Sequence, residues 1–328
     1  MASPNYLKNV AIVGAGGNSG SFMTAELLKT GKHIVTALTR ADSKAKLPEG
    51  VTAKTIDYEK AETIVKALQG QDVLVITMSV VAPKDQQAKL VNAAIAAGVE
   101  WVIPNHWAPD TTDEGLARDV VNFGGLSEFQ KWIEDQGKIK HISLSTGFWY
   151  EWSLAIPPSY GFDLAKRKVT YFDQGQTKIS TSTWPQVGRA VAALLSLPIK
   201  AEGSDKGLED FQNKLVYISS FTVSQQEMFE SILRVTGSKE EDWTVSEEPA
   251  VERYEEAVKA MKAKGPERYA AFVRMMYTRV FYPDGNGDLE ARRGTLNSLL
   301  GLPEEDMDEA TRRAIERAES GNSGYGGQ

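Results

Sequence analysis

The sequence predicts an α/β protein: a doubly wound parallel sheet with a smaller, mainly helical C-terminal region. Two observations carry this. Short, continuous apolar runs alternate with amphipathic stretches through the first half of the 328 residues, the pattern of parallel strands covered by helices on both faces. A glycine-rich turn, Gly14-Ala15-Gly16-Gly17-Asn18-Ser19-Gly20, stands between the first apolar run and the first helical pattern. That is where a Rossmann-type sheet holds a dinucleotide pyrophosphate.

The elements follow in order. Residues 10–13 read as a first strand, and Phe22, Ala25 and Leu28 fall at helical spacing behind the turn. Residues 34–38, 51–56, 73–76 and 101–103 read as further strands, separated by helices over 61–68 and 83–97, the latter closing on Gly98. Right-handed crossovers then leave the doubly wound order as the natural topology. Residues 142–144 read as a sixth strand, followed by an aromatic loop, Phe148-Trp149-Tyr150-Glu151-Trp152. A strand over 177–181, a helix over 186–197 and a strand over 215–219 read as a return to the sheet. From about Thr236 the pattern is helical and charged, over 251–264, 267–281 and 303–319. The expected division is a cofactor domain over 1–156 with sheet additions from about 176–236, and a substrate-binding region over 157–175 and 237–320. A Gly-rich tail, 321–328, is expected to be disordered.

Composition excludes several function classes. Lys and Arg number 37 against 44 Asp and Glu, a net charge of −7. With no clustered basic patch, nucleic acid is not expected as a partner. The chain has no cysteine, which removes disulfides, thiolate metal sites and cysteine nucleophiles. His33, His106 and His141 lack metal-ligand spacing. Asp284-Gly285-Asn286-Gly287-Asp288 imitates the start of a calcium loop, but Leu289 at the sixth position and Thr295 at the twelfth make it a turn. No metal is expected. No run approaches about 18 apolar residues, and the polar start, residues 1–9, has no apolar signal region. A cytoplasmic protein without membrane contact is the expectation.

The glycine turn carries the functional reading. Gly14 lets the chain turn out of the strand, Gly16 or Gly17 allows backbone to approach a pyrophosphate, and Gly20 allows close helix packing. Asn18 and Ser19 complete the loop, and the following helix N-terminus favours phosphate. The spacing departs from Gly-x-Gly-x-x-Gly, because position 19 is serine. Cofactor preference is written at the end of the second strand, where NAD sites place an acid and NADP sites an arginine. This chain has Thr39-Arg40 there, with Lys44 close behind. NADP(H) is therefore expected, with Arg40 on the 2′-phosphate and Asp57 and Tyr58 beside the adenine. Ligands in such sheets lie beyond the carboxyl ends of the strands. Thr77-Met78-Ser79, Pro104-Asn105-His106-Trp107 and Thr146-Gly147-Phe148 then meet ribose, nicotinamide and substrate.

Taken as an ordered set, these stretches resemble the NmrA-like and isoflavone-reductase-like group of atypical short-chain dehydrogenases. The matching residues are the 14–20 loop, Thr39-Arg40, Gln87 within 85–98, Pro104-Asn105-His106-Trp107, Thr146-Gly147-Phe148, and the helix Gln186-Val187-Gly188-Arg189-Ala190-Val191. The resemblance covers roughly residues 8–240. It implies a Rossmann domain that binds NADP(H) and a small C-terminal domain closing over an aromatic or other unsaturated metabolite. Some members of the group sense the nicotinamide pool without turnover, so an NADP(H)-binding regulator stays open as the alternative.

The resemblance also implies a catalytic lysine in the helix before the sixth strand, a position held here by Leu126, with Glu128 nearby. No tyrosine has a lysine four residues later, so the Tyr-x-x-x-Lys pair is absent as well. His106, since histidine as a residue type ordinarily titrates near neutrality, and Tyr150 are the replacement proton donors to consider; Lys131 is rotated away on the helix. Trp107, Phe148, Trp149 and Trp152 are the candidates for a flat substrate wall. The oligomeric state is not written in the sequence, which leaves a homodimer open.

Overall fold

In the computed structural model, which describes residues 4–79, 82–203, 205–262 and 264–321, the first half follows the expected alternation. β1 (Asn9–Val13) leads through the glycine turn into α1 (Gly20–Lys29). β2 (Ile34–Arg40), β3 (Thr52–Ile56), α2 (Ala61–Leu68), β4 (Val73–Ile76), α3 (Gln86–Ala97) and β5 (Trp101–Ile103) follow. Two helices, α4 (Glu114–Asp119) and α5 (Val121–Gln136), precede β6 (Lys140–Ser145). The C-terminus of α3 closes on Gly98 at φ 77°, a left-handed cap that glycine adopts without steric cost. Beyond β6 come β7 (Phe148–Trp149), α6 (Tyr150–Leu154), α7 (Pro157–Tyr160), β8 (Phe162–Asp163), β9 (Lys168–Phe172) and β10 (Ile179–Ser182). Then follow α8 (Trp184–Leu195), β11 (Lys214–Tyr217), β12 (Phe221–Val223), α9 (Gln225–Thr236) and β13 (Thr244–Glu248). The chain ends with α10 (Ala250–Ala260), α11 (Pro266–Val280), α12 (Leu289–Arg293) and α13 (Met307–Glu319).

Seven strands form one sheet in the order β3-β2-β1-β4-β5-β6-β11, with every pair parallel. Side chains alternate across it. Val10 and Ile12 enter a core with Met23 and Leu27 of α1 and Val187 and Val191 of α8. Ala11 and Val13 enter the opposite core with Ile64 of α2, Leu90 of α3 and Ile133 of α5. Burial on both faces explains why these strands read as unbroken apolar runs. A third core, rich in aromatics, lies in the C-terminal half.

Two expectations fail here. The 177–181 strand does not return to the main sheet; as β10 it pairs with β12 and β7 in a separate three-stranded sheet. The place beside β6 is filled by β11, whose residues pair with Ile142 to Ser145. The aromatic loop after β6 is a short strand followed by the helix α6, because its side chains are buried in the third core. Residues 322–328 of the Gly-rich tail lie outside the described residues. Among the described residues no helix is long and apolar enough to cross a membrane.

Candidate functional site

The glycine turn is built by space as much as by conformation. Gly14 takes φ 82°, and a Cβ there would run into the carbonyl oxygen of Thr77 at the exit of β4. A Cβ on Gly20 would strike the carbonyl of Gly14. The turn, the start of α1 and the end of β4 are therefore pressed together, as a bound pyrophosphate requires of its cradle. Gly17 N–H donates to the Gly14 carbonyl at 2.9 Å. Ser19 stands at the N-cap of α1 but makes no capping bond; its hydroxyl bonds Thr77 Oγ1 at 2.8 Å instead. The positive end of the helix is left without a side-chain cap, a setting that favours an anion. Gly16 also matters: a Cβ there would stand 2.7 Å from the Lys46 carbonyl, because the β2–β3 connection runs over the turn.

At the end of β2, Thr39 is half-buried and Arg40 exposed. The Arg40 guanidinium sits 3.3 Å from Asp42, and both side chains are largely in water, so the pair is weak and free to exchange for a phosphate. Lys44 is exposed close by. Tyr58 is half-buried; burial raises its hydroxyl pKa, and the charge of Arg40 opposes the rise. Asp57 Oδ1 accepts the Glu59 N–H at 2.9 Å and its other oxygen is 3.6 Å from Lys60, so this carboxylate shapes the turn into α2.

A second clasp joins the exits of β4 and β5. Asn105 Oδ1 accepts the Met78 N–H at 2.9 Å and Nδ2 donates to the Met78 carbonyl at 3.2 Å. The Asn105 N–H donates to Gln87 Oε1 on α3 at 2.6 Å. Pro104 is buried, and its carbonyl accepts the His106 N–H at 2.7 Å, which turns the chain sharply. Ser79 follows Met78 as an exposed residue. The sequence-predicted cofactor residues thus converge on the carboxyl edge of the sheet.

A family profile described as NAD(P)H-binding matches residues 14–118. Oxidoreductase aprR of Aspergillus flavus is 28% identical over 305 residues, 92% of this chain and 96% of that protein. Quinone oxidoreductase 2 of Escherichia coli is 30% identical over 194 residues, 57% of this chain and 64% of that protein. Among solved structures, AtPrR2 with NADP+ and (+)pinoresinol superposes with a TM-score of 0.72 at 18% identity, covering 95% of this chain and 99% of that one. This chain has an NAD(P)H-binding domain, and it shares its fold with solved pinoresinol and isoflavone reductases.

Leu126, where the resemblance leads one to expect a lysine, lies on α5. It is half-buried there against the aromatic core, and Lys131 points outward to an ion pair with Asp135. Neither replacement donor sits as a general acid should. His106 is 1% exposed; Gln130 Nε2 lies 3.0 Å from its Nδ1 and Thr111 Oγ1 lies 3.0 Å from its Nε2. Burial pushes its pKa down to about 3, with His141 adding to the fall and Asp110 opposing it. A ring that is neutral at physiological pH and has both nitrogens engaged is no proton reservoir. Tyr150 is fully buried with its hydroxyl 2.9 Å from Thr311 Oγ1, and burial raises its pKa well above the usual phenol range.

The expected aromatic wall is divided between core and surface. Phe148 stacks on Tyr277 with centroids 3.9 Å apart, and Trp152 is buried in the same cluster; both are packing residues. Trp107 and Trp149 remain half-buried. Trp107 Nε1 donates to the Ile76 carbonyl at 3.0 Å, and Trp149 touches both the C-terminal core and the α1–α8 core.

Sequence reasoning missed the residues that hold the β5–α5 connection. Thr111 and Gln130 engage His106, and Ser127 donates to Thr111. Arg292 and Arg293 of α12 reach the buried carboxylates of Asp113 at 2.6 Å and Asp110 at 2.7 Å. No local spacing announces these partners, since the arginines lie about 180 residues from the aspartates.

Proposed function

We propose that this chain is an NADPH-dependent reductase of a conjugated small molecule, such as a quinone or another unsaturated aromatic compound. The observation that carries the reading is the glycine cradle at the uncapped N-terminus of α1, leading to an exposed Arg40 at the end of β2. Gly14, Gly16, Gly17, Asn18, Ser19 and Gly20 hold the pyrophosphate; Arg40 and Lys44 hold the 2′-phosphate; Tyr58 lies by the adenine. Thr77, Met78, Gln87 and Asn105 shape the ribose and nicotinamide side. The cofactor supplies a hydride. Leu126 in place of an acid favours an acceptor that draws its protons from water, and a quinone is such an acceptor. Kinship with the E. coli quinone oxidoreductase supports this class. Trp107 and Trp149 offer half-buried rings to such a substrate.

Fluorescence titration with NADPH and NADH, on the protein and on Arg40→Ala, tests the reading. The expected result is a preference for NADPH of at least about tenfold that disappears in the variant, consistent with about 1.5–3 kcal/mol for a charge-assisted hydrogen bond. Equal affinity for the two cofactors would remove the phosphate clamp. Tight NADPH binding without reduction of any quinone would favour the regulator instead.

A further inference from the structure

We propose that His106 is a positioning residue: a neutral imidazole strut that fixes the Asn105 clasp in register with the face of α5 that carries Leu126. The inference deepens the reductase reading and depends on it only for its kinetic consequences.

The geometry begins at the turn. Asn105 spends its backbone N–H on Gln87 and its side chain on both backbone atoms of Met78, so its placement joins three elements of the cofactor edge. The next residue, His106, points the other way, into the protein. The ring bridges Gln130 on α5 and Thr111 on the β5–α5 connection. Thr111 is tied back to α5 in turn, since Ser127 Oγ lies 2.9 Å from its carbonyl and 3.1 Å from its hydroxyl. Ser127 adjoins Leu126 in sequence, and Gln130 lies one turn further along the helix. One buried ring therefore spans the clasp at the carboxyl edge of the sheet and the helix that carries Leu126.

The donor count sets the state of the ring. With the Gln130 amide N–H donating to Nδ1, Nδ1 must be unprotonated, and Nε2–H donates to Thr111 Oγ1. Adding a proton at Nδ1 would set two donors against each other in a site closed to water. The titratable groups that act on the ring are Asp110 on its own connection, which favours a cation, and His141 on β6, which opposes one; Arg293 already pairs with Asp110, which weakens the one carboxylate that would stabilise a cation among the described residues.

Imidazole nitrogen NMR of the intact protein tests the state without any substrate. The chain has three histidines, and His106→Gln identifies the signal of interest by its loss. A single Nε2–H tautomer that does not titrate between pH 5 and 8 is expected. Titration of that signal within this window would overturn the proposal. Kinetics then test the role. Gln places an amide N–H near the Nε2 position and Asn places an oxygen near Nδ1, so each keeps one end of the strut. His106→Ala is expected to lower kcat/KM about 100-fold, the scale of a misplacement near 1 Å, with His106→Gln and His106→Asn each recovering part of the loss and the pH–rate profile unchanged in shape. Gln130→Leu, which leaves the ring in place, is expected to reproduce a fall of the same kind. Loss of a titrating limb in His106→Ala with no rescue by Gln or Asn would identify an acid and overturn the strut. If the wild-type protein neither binds NADPH nor reduces a quinone, the reductase reading fails while the NMR result still decides the state of the ring.

Discussion

Glu151 is the residue whose surroundings conflict most with its charge. It is 2% exposed on α6, its carboxylate receives the Trp184 N–H at 3.4 Å and sits 3.3 Å from Arg313, and its pKa is raised to about 7, chiefly by burial and also by Glu305. Since this pKa lies above the unfolded value, the native state holds a proton that the unfolded chain has released between about pH 4.5 and 7. Its contribution to stability is therefore fully present below that window and is lost as pH rises through it, by about 3 kcal/mol at most. Glu151→Gln abolishes the titration. Urea denaturation at pH 5 and pH 8 should show the variant gaining on the parent at the higher pH; an equal difference at both pH values would place the charge elsewhere. Nothing in the sequence marks Glu151, because an acidic residue in an aromatic run is read as solvent-facing until its neighbours are known. Gly14 and Gly20, by contrast, were legible, since the constraints on them come from the turn and from the strands it joins.

At the level of elements, α8 lies against α1 on one face of the sheet, and the approach depends on Gly188. A Cβ there would stand 2.7 Å from the carbonyl oxygen of Phe22. Alanine improves intrinsic helix propensity by about 1 kcal/mol, but overpacking a tight contact costs about 1–3 kcal/mol. The obstacle is helix backbone, which cannot rotate away, so Gly188→Ala is expected to destabilise by about 1 kcal/mol net. Thermal unfolding measures it, and a raised Tm would show that the helices separate freely. Strands β1 to β6 and helices α1 to α3 were readable from apolar runs and spacing alone. The run from Phe148 to Trp152 was not, because a cluster of aromatics satisfies a pocket wall and a packed core equally well; only Tyr277, more than 120 residues away, decides that Phe148 belongs to the core.

Across the whole molecule, the C-terminal half holds the β5–α5 connection through buried charge. Arg279 on α11 is 2% exposed, bonds Asp119 at 2.7 Å and Asp284 at 2.8 Å, and lies over the Tyr282 ring. Removing one partner of a buried pair typically costs about 3–5 kcal/mol. Both carboxylates here keep some contact with water, which moves Arg279→Met to the lower end, about 2–3 kcal/mol. Chemical denaturation is the measurement, and a loss below about 0.5 kcal/mol, the range of ordinary surface changes, would mean that the two halves do not rely on this contact.

The sequence by itself determined the parallel sheet, the glycine cradle and the Arg40 signal, because each is local: an unbroken apolar run, a turn that tolerates no side chain, a residue at a strand end. Tertiary structure decided the rest. It placed β10 outside the main sheet and β11 within it, buried Tyr150 and Phe148, and enclosed His106 between Thr111 and Gln130. These outcomes depend on which distant residues share a desolvated volume, and a side chain's protonation and access to substrate follow from that volume.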